Sequence, residues 1–313
     1  MSYSFVSPLT TYTEQQRLPL ITKAVFSART ASLFTKQVGI KSAATLNLMD
    51  TDAAFQSGTA CGWNVAGAAS GTTTFTQRTI TVAPLKIQEA LCPRSLEQYW
   101  MQSQLTAGSN YDGVPFEQAF AEQKALRIAE ALENAIWSGS TLVTGLLTIL
   151  NAASGSTVSG NTAAVSASVG ITTSNAISIF DNIYTRIPQA ILTRNDLVIF
   201  CGWDTFRTLI GAFKSTTNAS VMYNQVDLQG LADGDIIYPG TNVRVVAVPG
   251  LLGYSRLVCS YLGNFFYGTD LLSDEEQFSI WPSIDNDEVR FQCALKCGVQ
   301  VAYPDLVVDW RLA

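Results

Sequence analysis

The chain has 313 residues, 14% of them charged and 47% hydrophobic, with 25 acids against 19 bases for a net charge of −6. That length supports a sizeable core in one domain or two, while the charged fraction sits well below the roughly 25% usual for soluble domains. Depleted charge suits a subunit whose surface is partly covered in a large assembly, or a domain with an uncharged Ser/Thr surface; the absence of any basic cluster excludes ordinary phosphate-neutralising nucleic-acid binding.

Residues 1 to about 44 mix polar and apolar positions around Pro8 and Pro19 without a sustained period, and read as an N-terminal arm with little core of its own. The opening Met-Ser-Tyr-Ser-Phe lacks the basic and apolar regions of a signal peptide, so synthesis in the cytoplasm is expected. From about Thr45 to Ile87 the chain looks strand-forming. Leu46 to Asp50 reads as a first strand, Gly58 to Gly71 as a Gly-rich tip, and Thr72 to Val82 as a return strand. Threonines fall on both sides of the alternation in that return strand, so neither face is expected to find a core in its own chain. Such a hairpin is marginal alone in water and needs a neighbour to lie on, which points to assembly.

Pro93 to about Gln104 reads as a short helix, closed by the turn Gly108 to Gly113. From Pro115 to about Ser138, Phe116, Ala119, Phe120, Leu126, Ala129, Leu132, Ile136 and Trp137 recur near helical spacing, and Gly139 stops the helix. Its charges Glu122, Lys124, Arg127, Glu130 and Glu133 read as a solvated or intersubunit face. Leu142 to Leu150 is the longest apolar candidate and falls far short of the ~20 residues a membrane span requires. Gly155 to Gly170 is uncharged low-complexity sequence and marks a boundary. Beyond it the pattern predicts a helix from Thr173 to Ile187, a buried strand Leu197 to Cys201, and a helix Trp203 to Phe213, as in a mixed α/β subdomain. Strands are then expected at Val243 to Val248, Arg256 to Ser260, Phe278 to Ile284 and Val289 to Tyr303, with a turn at Asp285-Asn286-Asp287 and a bulge at Gly298.

There is no histidine, which removes Ser-His-Asp and Cys-His systems and most zinc or iron sites. No Gly-rich loop ends in Gly-Lys-Ser/Thr, so a nucleotide-phosphate site has no support. The acidic groups Asp50 with Asp52, Asp274-Glu275-Glu276 and Asp285 to Glu288 fall where turns are expected and read as solvated acids. Calcium at Asp285 to Glu288 stays open, without the EF-hand pattern. Cys61, Cys92, Cys201, Cys259, Cys293 and Cys297 read as reduced, buried small hydrophobes. Cys293 and Cys297 on one strand point the same way, about 13 Å apart at roughly 3.3 Å per residue, too far to bridge.

The order of these pieces resembles the major capsid proteins of tailed double-stranded DNA bacteriophages, the Hong Kong 97 capsid fold that encapsulin shells also use. The residues that carry the likeness are the hairpin Leu46 to Ile87, similar to that family's E-loop, and Pro115 to Ser138, similar to its spine helix, closing in Ala-Ile-Trp-Ser-Gly. They continue with Asp196-Leu-Val-Ile-Phe-Cys-Gly-Trp-Asp-Thr-Phe-Arg-Thr-Leu, similar to the axial-domain strand and helix, and with Asp285-Asn-Asp-Glu-Val-Arg-Phe and Gly298-Val-Gln-Val-Ala-Tyr-Pro-Asp, similar to the closing strands. The family's frequent arginine in the last strand is represented only by Lys296, and no coiled-coil prefix serves as a built-in scaffold.

The resemblance implies an α+β fold with N-arm 1–44, E-loop 45–88, peripheral domain with spine helix 89–150, axial domain 151–265 and peripheral-domain strands 266–313. It implies a non-enzymatic structural protein of the virion, without cofactor or metal, whose copies form pentamers and hexamers of an icosahedral shell. That shell would enclose double-stranded DNA without sequence-specific binding, its acidic wall repelling what it contains. Portal, separate scaffolding and decoration proteins are the further partners; no membrane is involved. Trp63, Phe75 and Arg78 on the hairpin are the candidate intersubunit contacts, Trp63 foremost because tryptophan is enriched at interface hot spots. Lys36, Lys41 and Lys86 match no crosslinking motif, so an intersubunit isopeptide bond is not expected. An encapsulin-type compartment and, from another class, a carboxylate-based hydrolase are the alternatives.

Overall fold

In the computed structural model, residues 29–53, 55, 71–91, 116–161, 169–214, 234–270, 278–283, 285–286 and 288–312 are described. Among the described residues, chain order runs from helix α1 (Arg29–Leu33) through strand β1 (Thr35–Gln37), the ribbon β2 (Ala43–Thr51) and β3 (Thr73–Thr81), and β4 (Ala83–Leu91). Helices α2 (Phe116–Trp137) and α3 (Leu146–Ala152) follow, then β5 (Val158–Ser159), α4 (Ala176–Arg186), α5 (Gln189–Leu192), β6 (Leu197–Gly202) and α6 (Trp203–Phe213). Strands β7 (Asp235–Ile237), β8 (Arg244–Val248), β9 (Arg256–Tyr261), β10 (Phe265–Gly268), β11 (Phe278–Ser283), β12 (Glu288–Val301) and β13 (Val308–Arg311) complete it. The expected helix Pro93 to Gln104 and Pro115 itself lie outside the described residues.

Strand β6 explains how the two main sheets come together. Leu-Val-Ile-Phe-Cys-Gly is buried at every position, and a strand covered on both faces has no use for polar alternation. Leu197, Ile199 and Cys201 point into a core shared with Ile179, Phe180 and Ile183 of α4 and Phe206, Leu209 and Phe213 of α6. Val198 and Phe200 point the other way, into a core built by Ile128, Leu132, Ile136 and Trp137 of α2 and by Phe265, Tyr267 and Phe291 of the other sheet. The sheet containing β6 runs β5-β13-β9-β6-β8-β7, and the second runs β1-β10-β12-β11, with β4 also laid along β12.

Helix α2 buries Ala129, Leu132, Ile136 and Trp137 at helical spacing, as expected, while Leu126 of the expected apolar set is exposed; Gly139 ends the helix at φ +85°, a left-handed cap that a side chain would strain. In β12 the buried apolar side chains Phe291, Cys293, Leu295, Cys297, Val299 and Val301 recur with period two, with Lys296 and Gly298 buried on the other face. Cys293 and Cys297 therefore share one face and are free thiols, as are Cys201 and Cys259; Cys61 and Cys92 lie outside the described residues.

In strand pairing and register the structure differs from the sequence expectation at three segments. Ala83 to Leu91, expected to close the hairpin as part of 45–88, is a strand of the second sheet and pairs with β12 from Cys297↔Ala83 to Val289↔Leu91. Its alternation is that of a half-covered strand, and only the position of β12 separates it from the ribbon. The chain's last strand, assigned with 266–313 to the peripheral sheet, instead pairs with β9 and β5 in the sheet of β6. Gly298 is not a bulge. It stands in regular register opposite Gly268 in the β10–β12 ladder, and both glycines exist for close approach. A Cβ on Gly298 would meet the Thr81 carbonyl oxygen at 2.2 Å, and one on Gly268 would meet Ile80 Cδ1 at 2.8 Å.

That paired-glycine shelf seats the end of the ribbon, so Gly298→Ala must push backbone and not a flexible side-chain tip. It is expected to cost about 1–3 kcal/mol, the range of an overpacked core, read as a fall in the urea midpoint. Gly155→Ala, with nothing within 4 Å of its Cβ position, should leave that midpoint unchanged.

Candidate assembly surface

The ribbon β2–β3 changes character along its length. At its base Leu46, Ile80 and Val82 join Ile40 in a small separate core over the glycine shelf, with Leu48 buried beside it. Gln300 Nε2 donates to the Thr79 carbonyl at 2.7 Å, the Tyr303 hydroxyl donates to the Met49 carbonyl at 3.3 Å, and Val82 N–H donates to the Ser42 carbonyl at 2.8 Å. The expectation that neither face finds a core in its own chain is therefore corrected for the basal half. Leu46 and Leu48 lie on one face, and the threonines of the partner strand hid that stripe from a reading of the return strand alone.

The distal half has no such cover. Met49 to Thr51 on β2 and Thr73 to Gln77 on β3 are all exposed. Phe75 stands directly opposite Met49, and the two are 75% and 58% exposed, an apolar cross-strand pair left uncovered among the described residues. Phe55, between the strands, is fully exposed. Arg78 pairs with Leu46 on the opposite face and is half-buried near the base, so the structure does not bring Arg78 and Phe75 together. Trp63 lies outside the described residues.

The root of the N-terminal arm is held by a polar group that sequence reasoning placed on a solvated face. Arg127 and Glu130 are exposed and paired with each other, and Lys124 pairs with Glu89 of β4, but Glu133 is 2% exposed. Its carboxylate accepts from the Thr30 backbone N–H and, at 2.5 Å, from the Thr30 hydroxyl. That hydroxyl in turn accepts from Trp137 Nε1 at 2.8 Å. Next to Thr30, Arg29 pairs with Asp235, which also holds Arg244 at 2.6 Å, and lies 6.0 Å from the centre of the Trp203 ring. Helix α1 is thus fastened to the spine helix by one residue and to the β6 sheet by its neighbour. The only sequence signal for Glu133 was its place among Leu132, Ile136 and Trp137, on the apolar side of α2.

No catalytic constellation emerges among the described residues. Burial pushes the Cys259 and Cys297 thiols up to about 12 and raises Cys201 further, so these groups stay protonated and inert. Asp50 and Asp52 are exposed on the ribbon, Asp285 and Asn286 form the exposed turn between β11 and β12, and Asp274 to Glu276 and Asp287 lie outside the described residues. No group of three or more metal-ligating side chains occurs among the described residues. Among them, no helix is long and apolar enough to cross a membrane. Lys36 is half-buried in β1, Lys41 and Lys86 are exposed, and Lys296 is buried against Asp270 at 3.1 Å and the Lys41 carbonyl at 3.3 Å.

No protein-family model matches the chain, and no curated protein matches it in sequence. Solved structures do. The satellite phage P4 procapsid aligns over 100% of this chain and 98% of its own, at 12% identity and a TM-score of 0.58. The capsid of a native GTA particle aligns over 93% and 90%, at 15% identity and 0.53. A virus-like particle from Pyrococcus furiosus aligns over 95% and 98%, at 8% identity and 0.52. The fold is α+β, of the Hong Kong 97 capsid type found in tailed-phage major capsid proteins.

Burial raises the Glu133 carboxyl above the ordinary carboxylate range, against the opposing hydrogen bonds of Thr30 and the charge of Arg29. A carboxyl with a raised folded-state value contributes most at acid pH and loses that contribution as pH rises through the raised value. Glu133→Gln should therefore become more stable relative to the parent as pH rises through that window, flattening the difference in melting temperature above it. Glu133→Ala, which leaves the Thr30 N–H buried without an acceptor, should cost about 1–3 kcal/mol, a penalty that shrinks as pH rises through the same window.

Proposed function

We propose that the chain is the major capsid protein of a tailed bacteriophage, a structural and non-catalytic subunit. Copies form pentamers and hexamers that tile an icosahedral shell around double-stranded DNA. Synthesis takes place in the bacterial cytoplasm, with portal, separate scaffolding and decoration proteins as further partners. The observation that supports this most directly is the ribbon. Its base is anchored by paired glycines, a small core and side-chain hydrogen bonds, while its distal half leaves Met49, Phe55 and Phe75 exposed among the described residues. A two-stranded ribbon with an uncovered apolar pair gains burial only from another molecule, and a shell places a second copy beside every ribbon.

The low charge fraction agrees with surfaces covered by other copies. The net charge of −6 agrees with a wall that contains DNA without binding it. Phe75 and Trp63 are the contacts proposed to engage a neighbour; Arg78, on the other face and half-buried, is proposed to steady the ribbon's base where it meets the next subunit.

Expressed alone or with its scaffolding protein, the chain should give closed particles by negative-stain microscopy. A discrete monomer or small oligomer with hydrolytic activity would overturn the proposal, and particles packed with protein cargo would reassign it to an encapsulin-type compartment. Phe75→Ser and Trp63→Ala should each lower particle yield about tenfold, equivalent to about 1.4 kcal/mol per contact. The circular dichroism of unassembled Phe75→Ser should match the parent, because Phe75 is 75% exposed.

A further inference from the structure

Strand β13 places Arg311 directly opposite Arg256 of β9. Like charges in directly opposed cross-strand positions are destabilising, and here both guanidiniums also converge on one neutral acceptor. Arg256 Nη1 donates to Asn151 Oδ1 at 3.0 Å, and Arg311 Nη1 donates to the same oxygen at 2.7 Å. One carboxylate serves the pair. Asp309, two residues before Arg311 and on the same face, takes Arg256 Nε and Nη2 at 2.8 Å each. Arg256 thereby makes four hydrogen bonds, the second from Nη1 reaching the Leu147 carbonyl at 3.4 Å. Among the described residues the Arg311 guanidinium has Asn151 alone, which leaves a local excess of one positive charge in a protein of net charge −6.

The two arginines line an open pocket of about 440 Å³ between α3 and the ends of β9 and β13. Ser138 at the end of the spine helix, Tyr254 and Ser255 complete its polar wall. Neither the Tyr254 nor the Ser255 hydroxyl makes a hydrogen bond among the described residues, and Tyr254 is 44% exposed. Arg256, by contrast, is 7% exposed, so the charge at the pocket's floor is fixed in place and poorly screened.

We propose that this pocket is a binding site for a small tetrahedral oxyanion, phosphate or sulfate, held by the unpaired edge of Arg311 with the Tyr254 and Ser255 hydroxyls. The anion supplies the countercharge that the opposed arginines lack. It ties the end of the spine helix and α3 to the last strand of the β6 sheet. A planar guanidinium edge matches two oxygens of such an anion at once. The site stands apart from the ribbon and is independent of the proposed shell function.

Thermal melting of the purified full-length protein in sodium phosphate, compared with sodium chloride at matched ionic strength, tests it. Phosphate should raise the midpoint saturably, by about 2 °C or more once the site is filled, and sulfate should do the same. Arg311→Gln should abolish that increment, and in phosphate-free buffer it should melt at or above the parent, because it removes the charge repulsion. Tyr254→Phe, outside the β9–β13 ladder, should halve the increment or more while leaving the phosphate-free midpoint unchanged. Equal midpoints in phosphate and chloride, a linear and unsaturated rise, or an Arg311→Gln protein with an undiminished response would each overturn the proposal.

Discussion

Four rings hold this subunit together. Phe34 follows α1, Trp137 ends the spine helix, Phe200 lies in the middle of β6 and Phe265 opens β10, so each belongs to a different part of the chain. Phe34 stacks on Phe265 at 5.1 Å between centroids and meets Phe200 edge-on at 5.7 Å, while Trp137 tilts against Phe200 at 5.4 Å. Such pairs add about 0.5–1.5 kcal/mol each beyond the area they bury. Their greater consequence is geometric. With the two sheets and the long helix all converging on one packed cluster, none can rotate against another without opening it.

The polar groups around that cluster follow from the same constraint. Glu133 and Trp137 lie one helical turn apart on α2, and their side chains reach Thr30 together, so the aromatic contact and the arm's attachment are set by one surface of one helix. Arg256 with Asp309, at 8% and 4% side-chain exposure, joins the last strand to β9 deep in the structure. Lys296 with Asp270, at 9% and 2%, joins β12 to the end of β10. Buried ion pairs contribute little net stability when desolvation is counted. Their value here is in register, since a slipped strand would strand a charge.

The ribbon is the complement of this rigid body. Its base rests where Gly268 and Gly298 remove side chains from adjacent strands, so that Ile80 and the Thr81 carbonyl come close enough to pack. Past Leu48 its described residues are exposed. An element fixed at one end and uncovered at the other carries its orientation from the body and takes its burial from a neighbour, which is a division of labour suited to assembly from identical copies.

Much of this was legible in the amino-acid sequence. The spine helix, the strand Leu197 to Gly202 with the helix after it, and the alternation of β12 follow from periods of 3.6 and 2 that local chemistry imposes whatever the neighbours are. The exposed character of the hairpin's far half was equally plain, because a threonine-rich strand buries little on either face. What the sequence could not settle was which strand lies beside which. Ala83 to Leu91 reads the same as ribbon or as sheet, Val308 to Arg311 the same in either sheet, and Gly298 the same as bulge or shelf. Glu133 looked solvated because its acceptor role depends on Thr30, 103 residues away, and the opposition of Arg256 and Arg311 exists only once β13 pairs with β9. Local pattern fixes what an element is; long-range pairing alone decides what it touches, because the free energy that selects one pairing belongs to contacts between residues far apart in the chain.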